Sequence, residues 1–282
     1  MNDPTLKQIF IFLVVLLPFQ LLAQIPYGNN PECGKYIQTK DAKIYYEIYG
    51  SGEPLLLIHG SLYGYINEFE NIFPILTENH KVIAVALRGH GKSEIGDRDY
   101  SYALLAQDMI EVLDAENIDR IDIVGFSSGA ITAVKLAADY PERVMKVVSI
   151  AGALSAKDRS AERQQQLEEM TADNFIENNK RFVASRKKLM PEPDRFVDFY
   201  NKLMKVDSDP VWISKNAASK IEAPVLVVGG DRDAYFQVEE FLEMYRIIPN
   251  SKLLILPGDD HVGASQKKEM YTDFALPFLD EN

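Results

Sequence analysis

Six short runs of this 282-residue chain are apolar almost end to end: Pro54–Ile58, Lys81–Val85, Ile121–Val124, Arg143–Ile150, Pro224–Val228 and Lys252–Leu256. A strand with apolar side chains on both faces must be covered on both faces. Between these runs lie segments with helical spacing: Ile66–Glu78, Tyr102–Glu116, Gly129–Tyr140, Val238–Ile248 and Lys268–Leu279. The alternation predicts an α/β protein with a mostly parallel central sheet and helices on both faces. An earlier run, Lys43–Tyr49, is rich in β-formers and closes on Gly50-Ser51-Gly52, which reads as a partly exposed strand and turn.

The rhythm breaks once. From Leu154 to Asn216 there is no apolar strand run. The segment is helical in composition, highly charged over Lys157–Met170 and Asn179–Met204, and punctuated by Pro191, Pro193 and Pro210. We read residues 154–216 as an inserted helical cap dividing the core into 34–153 and 217–282. Residues 24–33 are turn-rich and read as a loose lead-in. Residues 1–23 read as a signal peptide: Ile9–Leu17 is an uninterrupted apolar run, and cleavage would follow Ala23. A membrane span needs roughly 20 apolar residues, so no stable span is expected once the peptide is removed. Export to a periplasmic or extracellular location follows; the alternative is an anchor formed by an uncleaved N-terminal segment.

Charge narrows the partners. Thirty basic against 42 acidic residues leave a net charge of −12. Nucleic-acid binding needs clustered Lys and Arg, so no nucleic-acid partner is expected. One cysteine, Cys33, and four histidines give no metal-ligand framework.

The chemistry centres on Gly125-Phe126-Ser127-Ser128-Gly129, which follows an apolar run and opens a helical one. A nucleophile on a sharp strand-to-helix turn adopts strained backbone angles, so Gly125 and Gly129 flank Ser127 where side chains would not fit. The serine needs a base. His59, His80 and His90 precede it, and His80 lies in a polar Asn79-His80-Lys81 turn that reads as solvated. Only His261, after the last apolar run, follows it. The orienting acid belongs after Pro224–Val228, where Gly229-Gly230-Asp231-Arg232-Asp233 offers Asp231 and Asp233. An oxyanion hole takes two backbone N–H groups. Ser128 supplies one; Ser61, in His59-Gly60-Ser61-Leu62, supplies the other, with Gly60 allowing close backbone approach. No cofactor or metal is required.

In order, Leu57–Gly60, Arg88–Ser93, Gly125–Gly129, Pro224–Asp233 and Leu256–His261 resemble the α/β-hydrolase fold family, in its esterase, enol-lactonase and haloperoxidase-like branch. The resemblance runs from about Lys35 to the C-terminus. It implies that Asp233 rather than Asp231 is the acid, and that His59 and Arg88–Ser93 support the site loops. It also disfavours dehalogenases and epoxide hydrolases of this fold, which use an aspartate where position 127 is Ser. The reaction expected is hydrolysis of a small carboxylic ester or lactone through an acyl-enzyme. The alternatives are another reaction on the same triad (lyase, C–C hydrolase or acyltransferase) or a non-catalytic binding protein. For the pocket the sequence nominates Leu62, Phe126, Phe199, Met204 and Trp212. Among the cap's apolar residues, Phe182, Leu189, Met190, Phe196 and Leu203 are expected to face it too. Gly91-Lys92-Ser93 is not a phosphate loop, because position 86, which that motif needs as Gly, is Ala.

Overall fold

The computed structural model describes residues 25–156 and 169–281. One sheet contains β1 (Gly34–Gln38), β2 (Lys43–Tyr49), β3 (Glu53–Ile58), β4 (His80–Val85), β5 (Ile121–Phe126), β6 (Val144–Ile150), β7 (Val225–Gly230) and β8 (Ser251–Leu256). Their order is β1-β2-β4-β3-β5-β6-β7-β8. β2 runs antiparallel to β1 and β4, and every other pairing is parallel. The register brings the strand ends level: Ile58 pairs with Gly125, Phe126 with Ile150, and Gly230 with Leu256.

The apolar runs serve two cores by alternation. Leu56, Ile58, Ile83, Val85 and Val227 enter one buried cluster, with α2 (Tyr102–Ala115), α3 (Ser128–Asp139) and the inward side of α8 (Val238–Ile247). Leu55, Leu57, Val82, Ala84 and Val228 enter the other, with α1 (Phe73–Leu76) and the C-terminal helical turns. A period of two with both phases apolar is what a doubly covered strand requires.

Between β6 and β7 lie α4 (Ala172–Asn178), α5 (Lys180–Lys187), α6 (Phe196–Asp207) and α7 (Lys215–Ala218). The excursion closes on itself: Leu154 O accepts both Trp212 N–H (3.2 Å) and Ile213 N–H (2.9 Å). Its charges are not all a solvated outer face. Lys202 is buried and donates to Gly96 O and Arg98 O, each at 3.0 Å. Glu192 accepts Ile95 N–H at 2.6 Å, and Arg195 donates to Gly96 O at 2.9 Å. One side of this segment is therefore clamped onto the loop that follows Arg88.

Several local expectations change. Ile66–Glu78 is not one helix but a 3-10 turn, Ile66–Phe69, and the single turn of α1. Pro74 stands at the start of that turn, where its missing N–H costs nothing. β1 was not anticipated; its five residues are mostly exposed and lack an apolar pattern. Lys268–Leu279 carries a π turn, Tyr271–Ala275, between α10 (Lys268–Met270) and α11 (Leu276–Asp280). His80 begins β4 and is buried rather than solvated. The lead-in is not loose: buried Glu47 accepts Gly28 N–H and Asn30 N–H at 2.7 Å, and the Tyr27 ring stacks on Phe73 at 4.1 Å. Residues 1–23, read as a signal peptide, lie outside the described residues. Among the described residues no helix is long and apolar enough to cross a membrane.

Candidate active site

Ser127 sits between β5 and α3 with φ 53° and ψ −118°, a conformation L-residues rarely adopt. The flanking glycines permit it. A Cβ on Gly125 would lie 2.4 Å from Gly129 O, and one on Gly129 would lie 2.2 Å from Ile58 O. Neither obstacle can move, because both are backbone inside the sheet and its helix.

Two further strand ends supply the partners. Asp233 follows β7, and His261 follows β8 at the start of α9 (His261–Gln266). His261 Nε2 lies 3.0 Å from Ser127 Oγ, and His261 Nδ1 lies 2.7 Å from Asp233 Oδ2. The other carboxylate oxygen, Oδ1, accepts Tyr235 N–H (2.7 Å) and Phe236 N–H (3.0 Å). Asp233 is thereby aimed, with no side-chain surface open to solvent. Asp231 is used differently: its Oδ1 accepts Gly258 N–H at 2.6 Å and ties the two loops together. Of the two aspartates, Asp233 is the one that meets His261. Asp259 and Asp260, which precede the histidine, turn elsewhere. Asp260 caps α9 through Gly263 N–H at 2.7 Å, and Asp259 pairs with Lys267 at 2.6 Å.

The loop after β3 is fixed by polar bonds. Leu87 N–H donates to His59 Nε2 at 3.0 Å, so Nδ1 carries the ring proton and donates it to Gly60 O at 2.6 Å. Burial pushes the His59 pKa well below its ordinary value, which keeps this neutral tautomer. Gly64 N–H takes Ser61 O at 2.9 Å. Among the described residues no protein group accepts the Ser61 N–H. The Ser128 N–H opens α3, where no preceding helical turn offers an acceptor. Ser61 and Ser128 border the same cavity as Ser127.

Arg88 supports the site from outside. Its guanidinium grips Asp108 in two bonds (2.5 and 2.8 Å) and also reaches Asp41 (2.9 Å) and Thr39 (3.2 Å). His90 packs on His59 at 4.8 Å.

The cavity has a volume of about 340 Å³. Leu62, Phe126, Met204 and Trp212 line it, as the sequence suggests. Phe199 does not. Its ring covers Gly89 and meets the His90 ring edge-on at 4.9 Å. Gly89 has φ 71° and no side chain, and the vacant space beside it is where Phe199 packs. Phe182, Leu189, Met190, Phe196 and Leu203 also stay off the cavity wall, whereas Met170 joins it. Sequence reasoning missed Tyr235 and Phe236, which adjacency to Asp233 could have flagged. It also missed Glu68, Tyr102 and Asp207, which no local pattern marks.

The alpha/beta hydrolase fold family model matches residues 53–267, and this chain belongs to that family. Over 287 aligned residues it is 24% identical to 2-hydroxy-6-oxo-6-phenylhexa-2,4-dienoate hydrolase of Comamonas testosteroni, spanning 92% of this chain and 99% of that enzyme. The meta-cleavage product hydrolase of Pseudomonas fluorescens IP01 superimposes with a TM-score of 0.72 at 21% identity, covering 89% of this chain and 99% of that one. The enol-lactonase of Burkholderia xenovorans LB400 does so with a TM-score of 0.68 at 20% identity, covering 88% and 100%.

Proposed function

We propose that this chain is a serine hydrolase cleaving a carboxylic ester or lactone through an acyl-enzyme on Ser127. The observation that carries this is the unbroken chain Asp233–His261–Ser127, ending in a hydroxyl at the wall of a cavity. Ser127 Oγ attacks the substrate carbonyl and its proton passes to His261 Nε2. Asp233 stabilises the imidazolium through Nδ1–H and holds the productive tautomer. The N–H groups of Ser61 and Ser128 receive the oxyanion. Collapse expels the alkoxide, which takes the proton from His261; water then releases the acid by the same route. The cap, residues 154–216, lends Met170, Met204, Asp207 and Trp212 to the pocket.

A second reading is C–C bond hydrolysis, favoured by the full-length similarity to the dienoate hydrolase. Its substrate is named as a carboxylate. The described cavity lining here holds Glu68 and Asp207 and no Lys or Arg, which suits a neutral ester or lactone better. The test is a panel of p-nitrophenyl esters of increasing chain length, lactones and a 2-hydroxy-6-oxo-dienoate. Turnover of esters or lactones with Ser127-dependent kinetics supports the first reading. Turnover of the dienoate alone replaces it with the second.

We also propose that the chain is exported with removal of residues 1–23, from the apolar run Ile9–Leu17 and the small residue Ala23. Mass spectrometry of the mature protein should find Gln24 first; an intact Met1 in a membrane fraction would indicate an anchor instead.

A further inference from the structure

The mechanism above leaves two carboxyls of the cavity wall, Glu68 and Asp207, unused, and Glu68 is the one that bonds to the site loops. Glu68 lies in the 3-10 turn Ile66–Phe69 and borders the cavity with Ser127 and His261. Its Oε2 accepts the Gly60 N–H at 2.7 Å. Its main-chain oxygen accepts Gln266 Nε2 at 2.8 Å, from the helix that His261 opens. One residue thus bonds to the oxyanion loop and to the histidine's helix. Gly64 gives it room, since a Cβ there would come within 2.7 Å of Oε2.

The bond matters because of what it orients. The Gly60 carbonyl and the Ser61 N–H share one rigid peptide plane. His59 Nδ1 holds that plane by its oxygen. Glu68 holds the preceding plane by the Gly60 N–H. Gly60 has no side chain to restrict its dihedrals, so these two bonds fix how the planes are set relative to each other. We propose that Glu68 is a positioning residue for the oxyanion hole, fixing the peptide from which the Ser61 N–H points at the substrate; this rests on the serine-hydrolase reading.

Burial pushes the Glu68 carboxyl up to about 7, against the opposing pull of the Gly60 N–H and Arg186. The titratable groups that face it or share its cavity are Arg186 on α5, Tyr271 in the C-terminal π turn, and Tyr63, Tyr102, Asp207, Tyr235 and His261 on the cavity wall. Its protonation state therefore reports on the Gly60 bond directly, without reference to turnover.

The test follows the Gly60 amide by ¹⁵N NMR from pH 5 to 9 in the full chain, alongside the rate at which a fluorophosphonate labels Ser127. In wild type the Gly60 resonance should shift in one step near pH 7, and in Glu68→Gln that step should vanish. Glu68→Ala should label about 10–100-fold more slowly, as misplacement of a reacting group does. Glu68→Gln keeps an acceptor oxygen and should recover most of that loss. A Gly60 step that persists in Glu68→Gln, or Glu68→Ala labelled at the wild-type rate, overturns the proposal. Wild type that resists labelling while the Gly60 step is present would instead count against Ser127 as nucleophile.

Discussion

Two carboxylate–base clusters buried among the described residues do opposite things. Around Arg88, the guanidinium is spent on Asp108, Asp41 and Thr39, and the arginine side chain is wholly sealed. Around His261, Asp233 is equally sealed, but the chain of bonds continues through the imidazole to a serine on a cavity wall. Both clusters satisfy the rule that buried charge must be paired. Only the second leaves a proton acceptor facing a space where a substrate fits. Charge burial alone does not mark a reactive centre; an outlet does.

If that contrast is right, damage to the two clusters should show up in different measurements. Ser127→Ala should lower kcat by roughly 10³–10⁶ with an unchanged melting temperature, because triad members act as a unit. Fluorophosphonate labelling of wild type should disappear in this variant; labelling that survives would put the nucleophile elsewhere. Asp233→Asn should cost about 10⁴ in kcat by imposing the wrong tautomer on His261. Asp231→Asn should instead loosen the loop tie to Gly258 and cost far less, so a reversed order of the two would break the assignment.

Arg88→Met should do the reverse of Ser127→Ala. It strands Asp108 in the interior and should cost about 3–5 kcal/mol of stability by denaturant titration. The fraction that stays folded should still be labelled at Ser127. A variant as stable as wild type would mean the cluster contributes nothing. Trp212 and Met204 on the cavity wall and Phe199 off it repeat the contrast more weakly. Trp212→Ala and Met204→Ala change the cavity wall and should alter the ratio of kcat/KM for short and long esters by about tenfold, the worth of roughly one or two methylenes. Phe199→Ala should leave that ratio alone and lower the melting temperature.

A last effect concerns Asp122, another buried carboxyl, near His80 and Lys146. Burial raises its pKa to about 6, from an ordinary 3.8. A carboxyl raised on folding binds more protons in the native state, so stability falls as pH rises from about 4 to about 6. Asp122→Asn should thus gain on the order of 1–3 kcal/mol over wild type at pH 8, and little at pH 4. An equal gain at both would show that packing, not charge, is responsible.

Much of this could be read from the chain. Ser127 and His261 stand out because the elbow needs glycines at two fixed offsets and only one histidine follows it. The α/β architecture follows from strands apolar in both phases. Phe199 was misread because amphipathic spacing shows that a residue is buried, not which cavity or core it faces. The lead-in escaped notice for a similar reason: its partner, Glu47, lies on a strand 17 to 19 residues away.

What the sequence by itself determined is therefore local: strand periods, the strained serine turn, and the chain order of serine, acid and base. Which aspartate meets the histidine depended on how two loops cross at the ends of β7 and β8, where Asp231 takes Gly258 N–H and Asp233 takes His261. The same holds for Glu68, the Arg88 cluster and the cap's clamp on the Gly96 loop. Each joins groups distant along the chain through bonds only a few ångströms long, and periodicity carries no information about such distances. Packing of the sheet ends decided them.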